Sequence, residues 1–447
     1  MDKSFINDLK VLAEKNSRID PELYTRYNVK RGLRNSDGTG VLVGLTEIGD
    51  VHGYILDEGE KTPDEGRLRY RGIDVRDMVK AFQEEKRFGF EEICFLLLFG
   101  KLPASDELQS FDELLRERRI LPPSFTEDVI LKAPSGDIMN KLAMSVLACY
   151  SFDSNPEDTS IENVLTQCID LIARFPVIVA YSYQAKNYYQ NQQSLRIHIP
   201  KKDLGTAENL LHMVKADNGY TPLEAEILDL ALVLHAEHGG GNNSTFAVHV
   251  VTSSGTDVYS SIAAAVGSLK GPKHGGANIK VMEMMENIKS NVHNWDDEIE
   301  LSSYLTKLIR KEAYDKSGLI YGLGHAVYTV SDPRAILLKQ KASELAGQKG
   351  MEDELNLYFN IERLAPEVFA SEKSGSKVIS ANVDFYSGFV YKMLNIPSEL
   401  YTPIFAVSRM AGWAAHVIEE IVSGGRIMRP AYKSVAGKRE YIPLDER

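Results

Sequence analysis

From Phe90 onward the chain repeats one pattern: apolar residues at three- and four-residue spacing, broken by single prolines. The segments Phe90–Phe99, Asp106–Arg119, Asp137–Tyr150, Ile161–Tyr183, Leu204–Lys215 and Glu224–Leu234 carry it, and Pro103, Pro122, Pro156, Pro200 and Pro222 fall between them. A helix buries a stripe, so this periodicity commits the chain to helix-on-helix packing. No βαβ alternation is present from which to build a parallel sheet. Strands are expected only near the N-terminus, where Thr39–Ile55 and Arg67–Val75 mix β-branched residues with Gly and Asp. Ahead of them Met1–Glu14 reads as a short amphipathic helix. The expected class is mainly α with a few short N-terminal strands.

The 447 residues carry 51 Lys and Arg against 63 Asp and Glu, a net charge of −12. Such a chain has no general attraction to nucleic acid or to anionic membrane surfaces, so an anionic ligand must be held by a local cluster of arginines. The longest apolar run, Ile93–Phe99, is far shorter than the roughly 20 residues that cross a bilayer, which excludes a membrane span on run length. Asp2, Asp8 and Glu14 within the first helix argue against an export signal, and a cytoplasmic protein is expected. Cys94, Cys149 and Cys168 are scattered, as buried thiols in a reducing compartment are. Beyond Asn278 the texture becomes charged and helical as far as Leu364, with the acidic run Asp296–Glu300 and the segment Lys339–Glu354, and apolar helices return after Asn382. This reads either as a more mobile subdomain set into a helical body or as a solvated helical face.

Four of the ten histidines stand in unusual settings: His235 and His238 in LHAEHGGGNNST, His274 in KGPKHGGAN, and His325 in YGLGHAVYTVSDPRA. Glycine lets a backbone approach a ligand closely, which favours a functional role for His274 and His325. His235 and His238 follow a Leu-rich helix, so a structural role stands beside a functional one. His274 falls between a helix Tyr259–Lys270, stopped by Gly271-Pro272, and a helix that starts near Ala277. The positive end of the second helix disfavours an imidazolium, and a neutral ring there can donate to a carbonyl oxygen that gains charge. Asp384, among Val383, Phe385 and Tyr386, has the setting of a general base with a raised pKa, or else of a helix N-cap or turn aspartate. Arg334 in DPRA, Arg409 in AVSRMAG and Arg429 in IMRP complete the set. Arg409 interrupts an apolar helix Ile404–Ile421, where a guanidinium either pairs with a buried carboxylate of the protein or forks onto that of a ligand. Competing motifs fit poorly. Gly322-Leu323-Gly324 is followed by Val327 where a dinucleotide fingerprint has its third glycine, and Gly267–Lys273 lacks the Walker spacing. His235 and His238 form an i, i+3 pair without HExxH or an evident third ligand, so no metal site is assigned.

These segments resemble the citrate synthases, the 2-methylcitrate synthases included. HAEHGGGNNSTFAVHVV, DVYSSIAAAVGSLKGPKHGGAN, GLGHAVYTVSDPRA, NVDFYSGFVYKML and LYTPIFAVSRMAGWAAHVIEE look like that family's signatures in its order and spacing, and RLRYRGIDV and FEEICFLLLFGKLP resemble its N-terminal half. The resemblance runs from about Thr39 over nearly the whole chain. It implies an acyltransferase that condenses acetyl-CoA with oxaloacetate and water to give citrate and CoA, without metal or cofactor, the CoA thioester being a substrate. Carried over by motif, Asp384 takes the methyl proton, His274 stabilises the enolate, and His325 polarises the ketone of oxaloacetate. His238, Arg334, Arg409 and Arg429 hold the substrate carboxylates, with Arg429 reaching the site of the second subunit of a homodimer. The implied fold is helical and two-domain: a large domain from 1–278 and 392–447, and a small domain, 279–391, that closes over the substrates and keeps the enolate from water.

Two departures concern CoA. Many members carry a basic residue four positions after the His325 motif histidine, and bacterial members often have Arg directly after it; this chain has Thr329 and Ala326. Binding of the CoA phosphates therefore falls to other residues. An extra methylene is worth only about 1–3 kcal/mol in a pocket, so the choice between acetyl-CoA and propionyl-CoA stays open. From other classes, a non-catalytic citrate-binding or scaffold protein of the same fold, or a zinc hydrolase built on His235 and His238, are the alternatives.

Overall fold

The periodic segments fold as helices. In the computed structural model, which describes residues 3–35, 37–57, 60–372 and 379–447, helices span Phe90–Phe99, Ser105–Arg118, Ile138–Cys149, Ile161–Tyr189, Thr206–Val214 and Pro222–His235. Local chemistry sets their ends. At the start of Pro222–His235, Thr221 Oγ1 accepts from Glu224 N while Glu224 Oε2 accepts from Thr221 N, with Pro222 in the first turn. The first helix, Lys3–Asn16, forms as expected but leaves Phe5, Val11 and Leu12 exposed.

The few N-terminal strands form as expected but start later than the composition suggests. β1 (Gly49–Asp57) and β2 (Glu60–Tyr70) form an antiparallel hairpin, and β3 (Ile73–Asp74) pairs with β2. The stretch from Gly40 to Ile48, expected as strand, finds no partner beyond a single bridge, Arg34 to Gly40, and leaves Leu42 83% and Leu45 89% exposed. Val75 opens a helix, Val75–Glu85, because Asp74 accepts from Arg76 N and caps it.

One long apolar helix escapes the count of apolar runs. Ile161–Tyr189 is long and apolar enough to cross a bilayer by length and composition, since the polar residues scattered through it hide the run from a simple count. Yet 78% of its most apolar window is buried within the protein, as befits a core helix. Cys94, Cys149 and Cys168 are buried free thiols.

The centre of the molecule is the helix Tyr401–Val422, buried at every position from Tyr401 to Val417. It packs on Ile161–Tyr189, Asn243–Thr252, Phe90–Phe99, Val258–Lys270 and Pro222–His235. A second group centres on Val383–Met393, which packs on Ala277–Asn291 and Pro333–Lys349, while Glu298–Ile309 packs on Glu352–Glu372. Pro222–His235 also touches Pro333–Lys349 and so joins the groups. The turns that carry the sequence-predicted histidines meet along this seam.

Candidate active site

Four turns supply the side chains. The first follows Pro222–His235. Gly239, at φ +80°, reverses the chain within reach of Val51, and Asn242 caps the helix Asn243–Thr252 by accepting from Ser244 N at 3.3 Å. His238 is thereby buried, its ring edge-on to His325 at 5.2 Å and to Tyr328 at 5.6 Å, with no partner for Nε2. His235 is buried on the other side against Phe405. No third His, Cys, Asp or Glu joins His235 and His238 in a metal-holding group among the described residues.

The second turn lies between Val258–Lys270 and Ala277–Asn291, the boundaries the sequence suggests. Gly275 N donates to Leu269 O at 2.9 Å, and a Cβ at Gly275 would lie 2.5 Å from that oxygen, so only glycine fits. This tight return places His274 with Nε2 3.1 Å from Ser244 Oγ. Ser244 Oγ also accepts from Trp413 Nε1 at 3.2 Å and lies 2.9 Å from Asn242 Oδ1, and this anchored hydroxyl leaves the Nδ1 edge of the His274 ring free. Burial, and then the Arg409 charge, lower the His274 pKa to about 4. The ring is neutral as expected, but the main cause is desolvation and not the following helix, whose N-cap is Gly276.

The third turn is 321–332. Gly322 (φ +81°) and Gly324 (φ +86°) allow it to lie against the start of Val383–Met393, where a Cβ at Gly322 would meet Phe385 Cδ2 at 2.8 Å. Gly322-Leu323-Gly324 therefore serves packing and opens no helix. His325 Nδ1 accepts from Val327 N at 3.1 Å and Tyr328 N at 3.2 Å, which leaves the proton of the neutral ring on Nε2. The ring stacks on Tyr328, and burial with the Arg334 charge lowers its pKa to about 4. Thr329 Oγ1 donates to Gly53 O of β1 at 2.8 Å, so the hairpin braces this turn.

The fourth is the start of Val383–Met393. Asn382, and not Asp384, is the N-cap, accepting from Asp384 N at 3.0 Å, and its Nδ2 donates to Gly324 O at 2.9 Å. The carboxyl group of Asp384 is thus released from capping. Its Oδ1 is buried without a partner among the described residues, and burial raises its pKa to about 6 against the pull of Arg334.

The arginines divide. Arg409 is fully buried; Nε donates to His235 O at 2.7 Å, and Nη1 and Nη2 have no partner among the described residues. Burial brings its pKa down to about 10, still charged at neutral pH. Arg334 is also buried, but Asp332 takes its Nε at 3.0 Å and one Nη at 2.8 Å, and also accepts from Val383 N. Burial works against the Arg334 charge and Asp332 more than offsets it, holding the pKa above the usual range. Arg429 lies exposed on the C-terminal segment beyond the last long helix, away from the buried cluster. Within one chain, then, His238, His274, His325, Arg334, Arg409 and Asp384 come together and Arg429 does not.

Chemically, the cluster joins a carboxylate poised to accept a proton, a neutral N–H donor on His325, a second neutral imidazole and a guanidinium with two free forks. Sequence reasoning missed Ser244, Tyr328, Asp332 and Glu237. Asp332 before Pro333 and Asn242 before Ser244 were detectable as N-cap signals, whereas Tyr328 and Glu237 gave none.

Residues 36–431 match the family described as "Citrate synthase, C-terminal domain". The chain is 34% identical to a citrate synthase of Synechocystis sp. over 86% of its length and 89% of the relative's. It is 32% identical to a 2-methylcitrate synthase of Shewanella oneidensis over 85% and 92%. Among solved structures it is similar to Pyrobaculum aerophilum citrate synthase (30% identity, TM-score 0.73, 91% and 94% covered). A second is the Thermoplasma acidophilum citrate synthase in a ternary complex with carboxymethyl coenzyme A and oxaloacetate (25% identity, TM-score 0.76, 94% and 99% covered).

Proposed function

The chain belongs to the citrate synthase family, and from that premise we propose how its own residues join acetyl-CoA, oxaloacetate and water into citrate and CoA. The observation that carries the reading is Asp384: a buried carboxylate with a partnerless oxygen and a pKa of about 6, in the electrostatic field of Arg334 and Arg409. Asp384 takes a proton from the thioester methyl group. His274 donates to the thioester oxygen as the enolate forms. The enolate carbon attacks the ketone of oxaloacetate, and His325 Nε2–H donates its proton to the new alkoxide. The proton taken by Asp384 returns the His325 ring to its neutral form, and water then cleaves citryl-CoA: its hydroxyl adds to the thioester carbonyl carbon, the C–S bond breaks and the thiolate leaves with the proton of the water. His238, Arg334 and Arg409 hold the carboxylates of oxaloacetate. Every proton is thereby accounted for, and we assign no metal or cofactor.

The segment 279–391 acts as the small domain that closes over the substrates, and 1–278 with 392–447 as the large one. The packing supports this, since the helices between Ala277 and Met393 pack mainly on one another. A homodimer is supported by the series of exposed apolar residues along the C-terminal segment, Tyr432, Val435, Tyr441, Ile442 and Leu444, which a second subunit would cover. Arg429 on the exposed C-terminal segment completes the site of the partner. We place the enzyme in the cytoplasm, where buried free thiols persist.

Mixing the purified protein with oxaloacetate and acetyl-CoA is expected to release thiol, read with a chromogenic disulfide, only when oxaloacetate is present; folded protein that releases none would sink the assignment. A second reading, 2-methylcitrate synthase, is favoured by the relative of that name, and a higher kcat/KM with propionyl-CoA would establish it. The dimer is tested by complementation. Asp384→Asn and Arg429→Gln are each nearly inactive, yet refolded together one to one they recover about a quarter of wild-type activity, because half the dimers then hold one intact site. No recovery would place Arg429 outside the partner's site.

A further inference from the structure

Behind the substrate cluster lies a second set of buried ionisable groups that the reaction does not use. Glu237 and His416 are both 0% exposed. Glu237 Oε1 accepts from His416 Nε2 at 3.1 Å and from Gly239 N at 2.5 Å, while Oε2 has no partner. On its other edge His416 Nδ1 lies 3.1 Å from His249 Nε2 and 3.6 Å from Glu419 Oε2, and His249 Nδ1 is 2.8 Å from Glu420 Oε2. With three carboxylates around two imidazoles, His416 is protonated: although burial opposes the charge, Glu237 and Glu419 bring its pKa up to about 9.

Arg409 and His416 are seven residues apart on one helix and therefore on one face. Glu237 feels both charges. Its carboxylate is admitted there by Gly412, where a Cβ would lie 2.4 Å from Oε2, and by Gly49, where one would lie 2.6 Å from Oε1. Glu237 Oε2 thus lies against Gly412, about one helical turn from Arg409, where a buried carboxylate and a buried guanidinium are expected to pair. Here they do not. Both Nη groups of Arg409 are free, and Glu237 is bonded to His416 and to the backbone that follows His238.

We propose that His416 is a positioning residue for the substrate site: its positive charge holds Glu237 away from Arg409 and so reserves both Nη groups of Arg409 for the carboxylate of the substrate. The inference rests on the reading of Arg409 as a substrate ligand. Without the charge at 416, Glu237 turns to Arg409, and the substrate must then displace an internal carboxylate.

The test is kinetic, on the full-length dimer. His416→Gln is expected to raise the oxaloacetate KM about tenfold, the scale of one lost charge-assisted contact, with kcat changed less than about threefold. Adding Glu237→Gln, whose amide oxygen still accepts from Gly239 N, is expected to restore KM to within about threefold of wild type, since no competing charge remains. A purely structural role for His416 would not be rescued by a second substitution. Should His416→Gln fail to fold, as judged by its melting transition, Glu237→Gln alone carries the test and is expected to lower KM about threefold. An unchanged KM in His416→Gln, a double variant no better than the single one, or an unchanged or raised KM in Glu237→Gln overturns the proposal. So does a stoichiometric divalent metal in the wild-type protein that is lost on substituting His416, because the donors of His249, His416 and Glu419 lie within 4.8 Å of one another. If wild type itself releases no thiol, the functional reading fails first, and the two failures are distinct.

Discussion

Asp384→Asn is expected to lose about a thousandfold in kcat, the range of a general base, while its oxaloacetate affinity, read by titration calorimetry, stays within about threefold. Asparagine keeps the shape of the side chain and cannot take a proton. The same burial that makes Asp384 basic makes it costly to the fold. A carboxyl group raised to about 6 stabilises the folded chain only while protonated, so that contribution is present below its unfolded pKa and is lost as pH rises through about 6. The variant is therefore expected to melt higher than wild type at pH 8, and the gap, of order 3 kcal/mol, should narrow as pH falls below about 6 and close near pH 4. In wild type, kcat/KM should rise about tenfold per unit of pH up to about 6 and then level, with no second limb from His274 or His325, both neutral above about 4. A profile flat down to pH 5, or substantial turnover by Asp384→Asn, would remove Asp384 from the role of base.

Arg409→Leu is expected to raise the oxaloacetate KM about a hundredfold, since truncating one member of a buried charge pair costs 2–5 kcal/mol and more. Because neither Nη group has a protein partner, the free enzyme should lose little or no stability, and the melting temperature of the apo protein is expected to hold or rise. Loss of substrate binding together with gain of stability is the signature of a group kept for its ligand. Arg409→Lys, which keeps the charge but not the fork, should fall between. A KM within about threefold of wild type in Arg409→Leu would show that Arg334 and His238 suffice.

Much of this molecule was legible in its sequence, and particular residues show why. The helices announced themselves through apolar spacing, and Gly271-Pro272 marked the turn of His274, because these signals are local and act within a few residues. The strand expected from Thr39 failed for the opposite reason: a strand exists only if a second one pairs with it, and Gly40–Ile48 has none. The apolar run in Ile161–Tyr189 was missed because burial on all sides tolerates scattered polar residues that a run count does not. Asp384 looked as much like a cap as a base, and only the structure shows Asn382 taking the cap.

The residue types of the site, and the turns that hold them, were written into the chain: glycines beside His238, His274 and His325, a carboxylate among aromatic residues, an arginine inside an apolar helix. What the tertiary structure alone decided is which charges remain available. Arg334 and Arg409 look alike in sequence, yet a carboxylate, that of Asp332, occupies one, while the other is held only through Nε by a backbone carbonyl and keeps both Nη groups unpaired among the described residues. His325 carries its proton on Nε2 because two backbone amides meet Nδ1, and His416 is charged because Glu237 and Glu419 reach it from segments far apart or on one face. Protonation and pairing depend on desolvation and on charges a few ångströms away, and distance in space, unlike spacing along the chain, exists only after folding.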